Sequence, residues 1–329
     1  MFQQFISRLQ QVERFDRVVN TAAIKYGAVE GKGGHSRLAL QLPSSEVIAL
    51  EERAQAQLGN QFGIPAPHLE RLPVELAVEE LQHFSKNAPR DITIRAIQEP
   101  GQVVPMARAI LSGKYEPFDS HQVLESIEPY LEDGFQVSSS HVERDEMRML
   151  VTMPGRDFDV SSRRVGDIVK AGLMISNSEV GTMSLRAEFS LLRLVCTNGM
   201  SASDFKATRV RHIYVDRADF IAKLRECVAN AGQVGEQIAR RLEATHQLQL
   251  PDLNPDNGKL QREVVSILRR ENLATQAFLQ DAEKALAEGE RTLFELVQHV
   301  SDNQRLSSSR LPERVHRERV AGRLMALAA

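Results

Sequence analysis

Five basic residues, Arg186, Arg193, Lys206, Arg209 and Arg211, with His212 beside them, lie close together where apolar and polar residues alternate, and two aromatic residues, Phe205 and Tyr214, accompany them. Cations at strand spacing beside aromatic rings suit one kind of chemistry. Guanidinium and ammonium groups neutralise successive phosphates of a single-stranded nucleic acid, and the rings stack on its bases. Positions 209 and 211 share one face of a strand by the two-residue period. The plain counter-reading is that these are outward positions of amphipathic strands whose charges pair with Glu188, Asp204 and Asp216. The C-terminal tail repeats the choice: Arg305, Arg310, Arg314, Arg317, Arg319 and Arg323, against Glu313 and Glu318, either neutralise phosphates or form a solvated helix face.

Other clusters carry weaker chemistry. The stretch Gly27-Ala-Val-Glu-Gly-Lys-Gly-Gly34, with Lys32, resembles a phosphate cradle in composition only. It lacks the spacing and the Lys-Ser/Thr ending of a phosphate-binding loop, so a surface loop is expected. His141, Glu143, Asp145 and Glu146 include oxygen ligands that hard metal ions favour, yet a hairpin tip accounts for them and would split them between two faces. Asp157, Asp159 and Asp167 with Lys170 match no nuclease spacing and read as turn and cap residues. Cys196 ends an apolar segment and reads as a small buried hydrophobe. With Cys227 as the other cysteine, neither a disulfide framework nor a four-cysteine zinc site can form. No nucleophile elbow, zinc-helix motif or dinucleotide fingerprint occurs, so no catalytic residue, metal or cofactor is assigned.

The elements that must hold these residues follow from composition and periodicity. The chain has 329 residues, 42 % hydrophobic and 26 % charged, with 41 Lys and Arg against 44 Asp and Glu for a formal charge of -3. That balance describes a globular chain and excludes a globally basic binder of the histone kind. No apolar run reaches the ~20 residues of a membrane span, and Met1 to Asp16 has no signal-peptide core, so no membrane partner and a cytoplasmic location are expected. Residues 1–26 read as one amphipathic helix through Phe2, Phe5, Ile6, Leu9, Val12, Phe15 and Val19. A strand over 36–42 and helices over 47–58, 67–71 and 73–85 complete a mainly helical region, 1–89, that contains the glycine-rich loop.

From Arg90 the period changes to two. Strands are predicted over 91–98 and 103–112, a helix over 120–131, hairpins over 135–153 and 170–195, and a last strand over 205–215, giving an antiparallel sheet core at 90–215. A long helix over 216–247, a turn rich in Pro and Asn, and three further helical stripes fill 216–329, with the basic tail. The fold class is α+β: a central, mostly antiparallel sheet flanked by helical regions at both ends. The sticky N-terminal helix and the long C-terminal helices suggest a homo-oligomer.

Two segments, Gly172-Leu-Met-Ile-Ser-Asn-Ser-Glu-Val-Gly-Thr-Met-Ser-Leu-Arg186 and Leu192-Arg-Leu-Val-Cys-Thr-Asn-Gly199, resemble the core motif of the bacterial phage/plasmid-like proteins of domain-of-unknown-function family 932. Leu58-Gly-Asn-Gln-Phe-Gly-Ile-Pro65 with Leu69 and Leu72, Ala109-Ile-Leu-Ser112, and Tyr115-Glu-Pro-Phe-Asp119 are similar to further family segments in the same order. His68-Leu69 departs from the family's usual Tyr-Leu. The resemblance covers about 40–230, implies a mobile-element setting, and brings no catalytic residues. Three functions stand as expectations. The leading one is non-catalytic single-stranded DNA binding or annealing through Arg186, Arg193, Lys206, Arg209 and Arg211 with Phe205 or Tyr214. The alternative is a protein-interaction or assembly component, favoured by four Tyr, no Trp and the small negative charge. The third is a metal-dependent nucleic-acid enzyme using the Asp157, Asp159 or His141 groups.

Overall fold

The computed structural model describes residues 2–30, 36–99, 101–131, 135–142, 145–159, 168–193, 199–201, 208–210, 212, 217–302 and 311–328. Among these, strands β1 (Glu13–Asn20), β2 (Lys25–Glu30), β3 (Ser36–Gln41), β4 (Val47–Leu50), β5 (Asp91–Gln98) and β6 (Met106–Ser112) form one sheet in the order β1-β5-β6-β4-β3-β2, parallel only between β4 and β6. Four residues join β1 to β2, which stand at opposite ends of that order. A link of that length spans roughly 17 Å at most, whereas six flat strands are about 24 Å across. The sheet therefore curls on itself. Its concave side holds Leu40, Ile48, Ile92, Ile94 and Ile110, closed over by Ala54 and Leu58 of α2 (Glu52–Gln61), Leu69 of α3 (Ala66–Arg71) and Leu81 of α4 (Val74–Asn87). Gly59 permits the tight α2–α3 corner, because a Cβ there would lie 2.7 Å from the Leu69 side chain and 2.9 Å from the Ile64 carbonyl oxygen.

Four N-terminal expectations are corrected. The helix predicted over 1–26 is only α1 (Phe2–Gln10); beyond it Phe15 and Val19 obey the two-residue period equally well and pair with Ala96 and Ile92 in β1. The apolar face of α1 is not left sticky: Ile6 is buried, and Phe2, Phe5 and Leu9 pack with Val123, Leu124, Phe220 and Leu224. Gly27 to Glu30, read as loop, belong to β2, while 31–35 lie outside the described residues. Val47 to Leu50, read as the first turn of a helix, form β4, because Ser45 takes a positive φ of 68° and turns β3 back on itself before α2 begins. The region 1–89 thus supplies four strands among its described residues, and β5 and β6 complete its sheet, so that sheet extends across position 90.

The second sheet is antiparallel throughout: β7 (Gln136–Val142), β8 (Glu146–Asp159), β9 (Ile168–Ser178), β10 (Leu185–Arg193) and β11 (Gly199–Ser201) in the order β11-β10-β9-β8-β7, with β12 (Thr208–Val210) also on β10. One face packs on α5 (Ser120–Ile127), α1 and the long α6 (Arg217–Thr245). Beyond α6, helices α7 (Lys259–Arg270), α8 (Gln276–Glu288), α9 (Leu293–Ser301) and α10 (Leu311–Met325) build a third core around Leu242, Val264, Leu268, Leu286, Leu296 and Leu324. The fold is α+β, with helices at both ends of the chain, as its periodicities imply.

A buried charge network joins the two sheets. Register breaks between Arg95 and Ala96, leaving Arg108 as the extra residue of a β-bulge opposite, and a bulge re-aims a side chain. Arg108 donates to Glu179 Oε2 at 3.0 Å and Asp145 Oδ1 at 3.3 Å, both beside the β8–β9 pair. Arg95, fully buried, donates to both Asp16 oxygens, the Glu179 carbonyl and Asp119. Glu179 also accepts from Arg14 and from the Ser120 N–H at the start of α5. Burial alone would raise the Glu179 carboxyl, but Arg14, Arg108 and the Ser120 N–H outweigh it and hold it down to about 2. Burial likewise opposes the Arg95 charge, and Asp119 and Asp16 reverse this, holding the guanidinium above the usual arginine value.

A carboxyl whose folded value is depressed contributes stability above its unfolded value, and this is lost as pH falls toward the folded one. The urea midpoint is expected to fall between pH 5 and pH 2, with Glu179 contributing on the order of 3 kcal/mol. Glu179→Gln removes the buried carboxylate that Arg14 and Arg108 share and leaves Asp119 and Asp145 as their remaining carboxylates, so it should cost about 3 kcal/mol at pH 7 and flatten that acid limb, as measured by urea unfolding across pH.

Candidate nucleic-acid interface

Register places basic residues in one row across the second sheet. His141 of β7 stands opposite Arg148 of β8, Arg148 opposite Ser176 of β9, Ser176 opposite Arg186 of β10, and Arg186 opposite Arg209 of β12. Residues directly opposite share a face. The row lies on the face away from Ile175, Leu185 and Ala187, which pack toward α6. Arg148 sits between Met147 and Met149 in β8, a single cation in an apolar run whose inward partners fix its direction.

Glutamates interleave the row. Arg186, 18 % exposed, donates from Nε to Ser184 Oγ at 3.0 Å and stands 3.8 Å from Glu188 Oε1. Glu188 is buried and accepts from Arg319 Nη2 of α10 at 3.3 and 3.5 Å. Arg148 is buried, donates to Ser176 Oγ at 3.4 Å and lies 3.8 Å from Glu318 of α10. Burial pulls the Arg148 guanidinium below the usual arginine value; Glu318 and Glu188 oppose this and Arg319 and Arg186 reinforce it. Three described arginines, two of the row and Arg319 of α10, thus share two glutamates, and the register of β12 continues the row at position 209.

The remaining site residues divide by position. Arg193 pairs opposite Val169, seven residues from Arg186, and so belongs to the alternate set of the pleat. Lys206, Arg211, Phe205 and Tyr214 lie outside the described residues, as does Cys196. His212 is described and buried, its ring stacked on Tyr115 at 5.2 Å between centroids. Its carbonyl accepts from the Glu116 N–H, and burial, then the charge of Arg95, pull its imidazole down to about 4. The segment carrying β12 is therefore pinned to the junction between the sheets. Sequence reasoning missed Arg148 and Ser176 and named Arg319 only as part of the tail; strand register and helix packing bring the three together.

Two of the other sequence candidates have structural partners: Asp145 pairs with Arg53 and Arg108, and Glu146 accepts from Thr182. Glu143, Asp167 and Lys32 lie outside the described residues. Among the described residues no group of three or more His, Cys, Asp or Glu is placed to hold a metal. In the C-terminal tail, Arg317 pairs with Glu313 and faces the Phe278 ring, Arg319 pairs with Glu188, and Arg323 pairs with Glu271. These arginines knit α10 onto its neighbours. Cys227 is buried in the third core.

Glu188→Gln removes the carboxylate shared by Arg186 and Arg319 and is expected to lower the unfolding free energy by about 2 kcal/mol. Glu313→Gln, which breaks an exposed pair with Arg317, should change it by less than about 0.5 kcal/mol. Urea unfolding of both variants against the parent checks the contrast.

Among the described residues no helix is long and apolar enough to cross a membrane. No curated protein and no solved structure matches the chain significantly. The family described as Domain of unknown function (DUF932) matches residues 108–321, from the bulged arginine of β6 to the middle of α10. That span holds Arg108, Tyr115, Asp119, Glu179 and His212 of the junction and every residue of the basic row. The chain belongs to this family, Domain of unknown function (DUF932).

Proposed function

We propose that the chain binds single-stranded nucleic acid, without catalysis, at the β10–β12 edge of the second sheet. The observation that carries this reading is the pairing of Arg186 with Arg209. Like charges directly opposite each other on adjacent strands are destabilising, and an anion between them converts that cost into affinity. Glu188 holds this place on the Arg186 side, so a phosphate that enters exchanges for a carboxylate. Arg211 follows at strand spacing, and Phe205 and Tyr214, on either side in sequence, supply stacking surfaces. Lys206 and Arg193 extend the basic character along the chain. Strand annealing on a phage- or plasmid-type element, by a homo-oligomer, is the setting in which such an edge serves best.

Fluorescence anisotropy of labelled single-stranded oligonucleotides tests this. Arg209→Ala with Arg211→Ala is expected to weaken binding and to make the log–log salt slope shallower by about 1.4, two single-strand phosphate contacts. Glu188→Gln is expected to tighten binding. An affinity that ignores salt and both arginines would sink the proposal and leave a protein-partner role. Mixing complementary strands then separates annealing from binding, and light scattering after gel filtration reads the oligomeric state.

A further inference from the structure

From α7 we infer a second polyanion-binding surface, suited to the phosphate backbone of duplex nucleic acid and separate from the β10–β12 edge. Its inner side is committed: Gln261, Val264, Val265 and Leu268 are buried, and Leu260 and Ile267 pack on the third core. Its outer side carries Lys259, Arg262, Ser266, Arg269 and Arg270, all exposed, at spacings that keep them on one face. The stripe is about 16 Å long at the helical rise. Four cations stand on this helix against one carboxylate, Glu263, which lies 3.7 Å from Lys259. Arg262, Arg269 and Arg270 have no ion-pair partner among the described residues, and the next carboxylate, Glu271, is taken by Arg323.

Helix stability does not account for the pattern. Arg269 and Arg270 suit the negative end of the helix dipole, but Lys259 sits at its positive end, where a cation is unfavourable, and the first turn holds no acidic residue, Glu263 lying one turn further on. The occupant follows from charge and from what the stripe lacks. The apolar side of α7 is already buried in protein, so the helix cannot enter a bilayer as interfacial helices do. It contains no aromatic residue, so it offers no ring on which unpaired bases could stack. Binding then depends on charge density alone, and a duplex presents twice the phosphates per length of a single strand.

The test compares the protein with the triple variant Arg262→Ala, Arg269→Ala, Arg270→Ala and with a control, Lys223→Ala, Arg240→Ala, Lys284→Ala, that loses the same net charge from ion-paired surface positions. A labelled 20-base-pair duplex is titrated at 50 and 200 mM salt. Loss of three duplex contacts makes the salt slope shallower by about 2.7, so the parent's affinity should fall roughly 40-fold more than the triple variant's over that range. The control should follow the parent, and all three proteins should share one melting temperature. No duplex binding by the parent at 50 mM salt, an equal loss in the control, or a triple-variant defect confined to anionic phosphatidylserine vesicles would each overturn the inference. Because single-strand binding is read through Arg209 and Arg211, either surface can fail without the other.

Discussion

Guanidinium groups taken out of water must be met by carboxylates and carbonyls in fixed directions, and at the junction of the two sheets this requirement governs the whole arrangement. Arg95 and Arg108 leave one bulged strand pair; Glu179, Asp145 and Asp119 arrive from the β8–β9 pair and the start of α5. A slip of one residue in any of these strands would turn a cation toward the apolar core. The junction therefore fixes strand register in both sheets at once, which apolar packing, being non-directional, does not do by itself. The segments that carry the family resemblance fall here: Tyr115 and Asp119, and Asn177 to Gly181 around Glu179.

Elements with a single clean period were legible in the sequence. Asp91 to Gln98 is a strand with the predicted ends, the two hairpins of the second sheet appear where alternation placed them, and the long helix after Asp216 runs as expected. Errors gathered where two periods fit the same residues. Phe15 and Val19 satisfy both a helix face and a strand face, and only pairing with β5, more than seventy residues away, decides between them. Val47 to Leu50 is a short apolar run in which propensity is silent and a partner on each side makes the strand.

The candidate interface was legible only in part, for a related reason. Alternation on β10 and the pairing of Arg186 with Glu188 could be read from one strand. That Arg148, Ser176, Arg186 and Arg209 form a row could not, because register depends on where neighbouring strands bulge. The bulge that delivers Arg108 to Glu179 leaves no mark in composition either: Met106-Ala-Arg-Ala-Ile110 reads as an ordinary strand with one misplaced cation. In both places the misplaced cation was itself the signal, since a buried arginine implies a carboxylate held nearby.

The opening segment of the chain also has a history in time. Asn20 finds its partner at Asp91, and the apolar face of α1 is covered by Val123 and Leu124 of α5 and then by Phe220 and Leu224 of α6. During synthesis α1 is thus covered in two steps, more than a hundred residues later by α5 and some two hundred later by α6, and part of the face of Phe2, Phe5, Ile6 and Leu9 waits in water until the second. Contacts so distant along the chain close slowly, and apolar surface exposed meanwhile invites association between nascent chains. The ribosome, rather than the finished protein, is where this topology is most vulnerable.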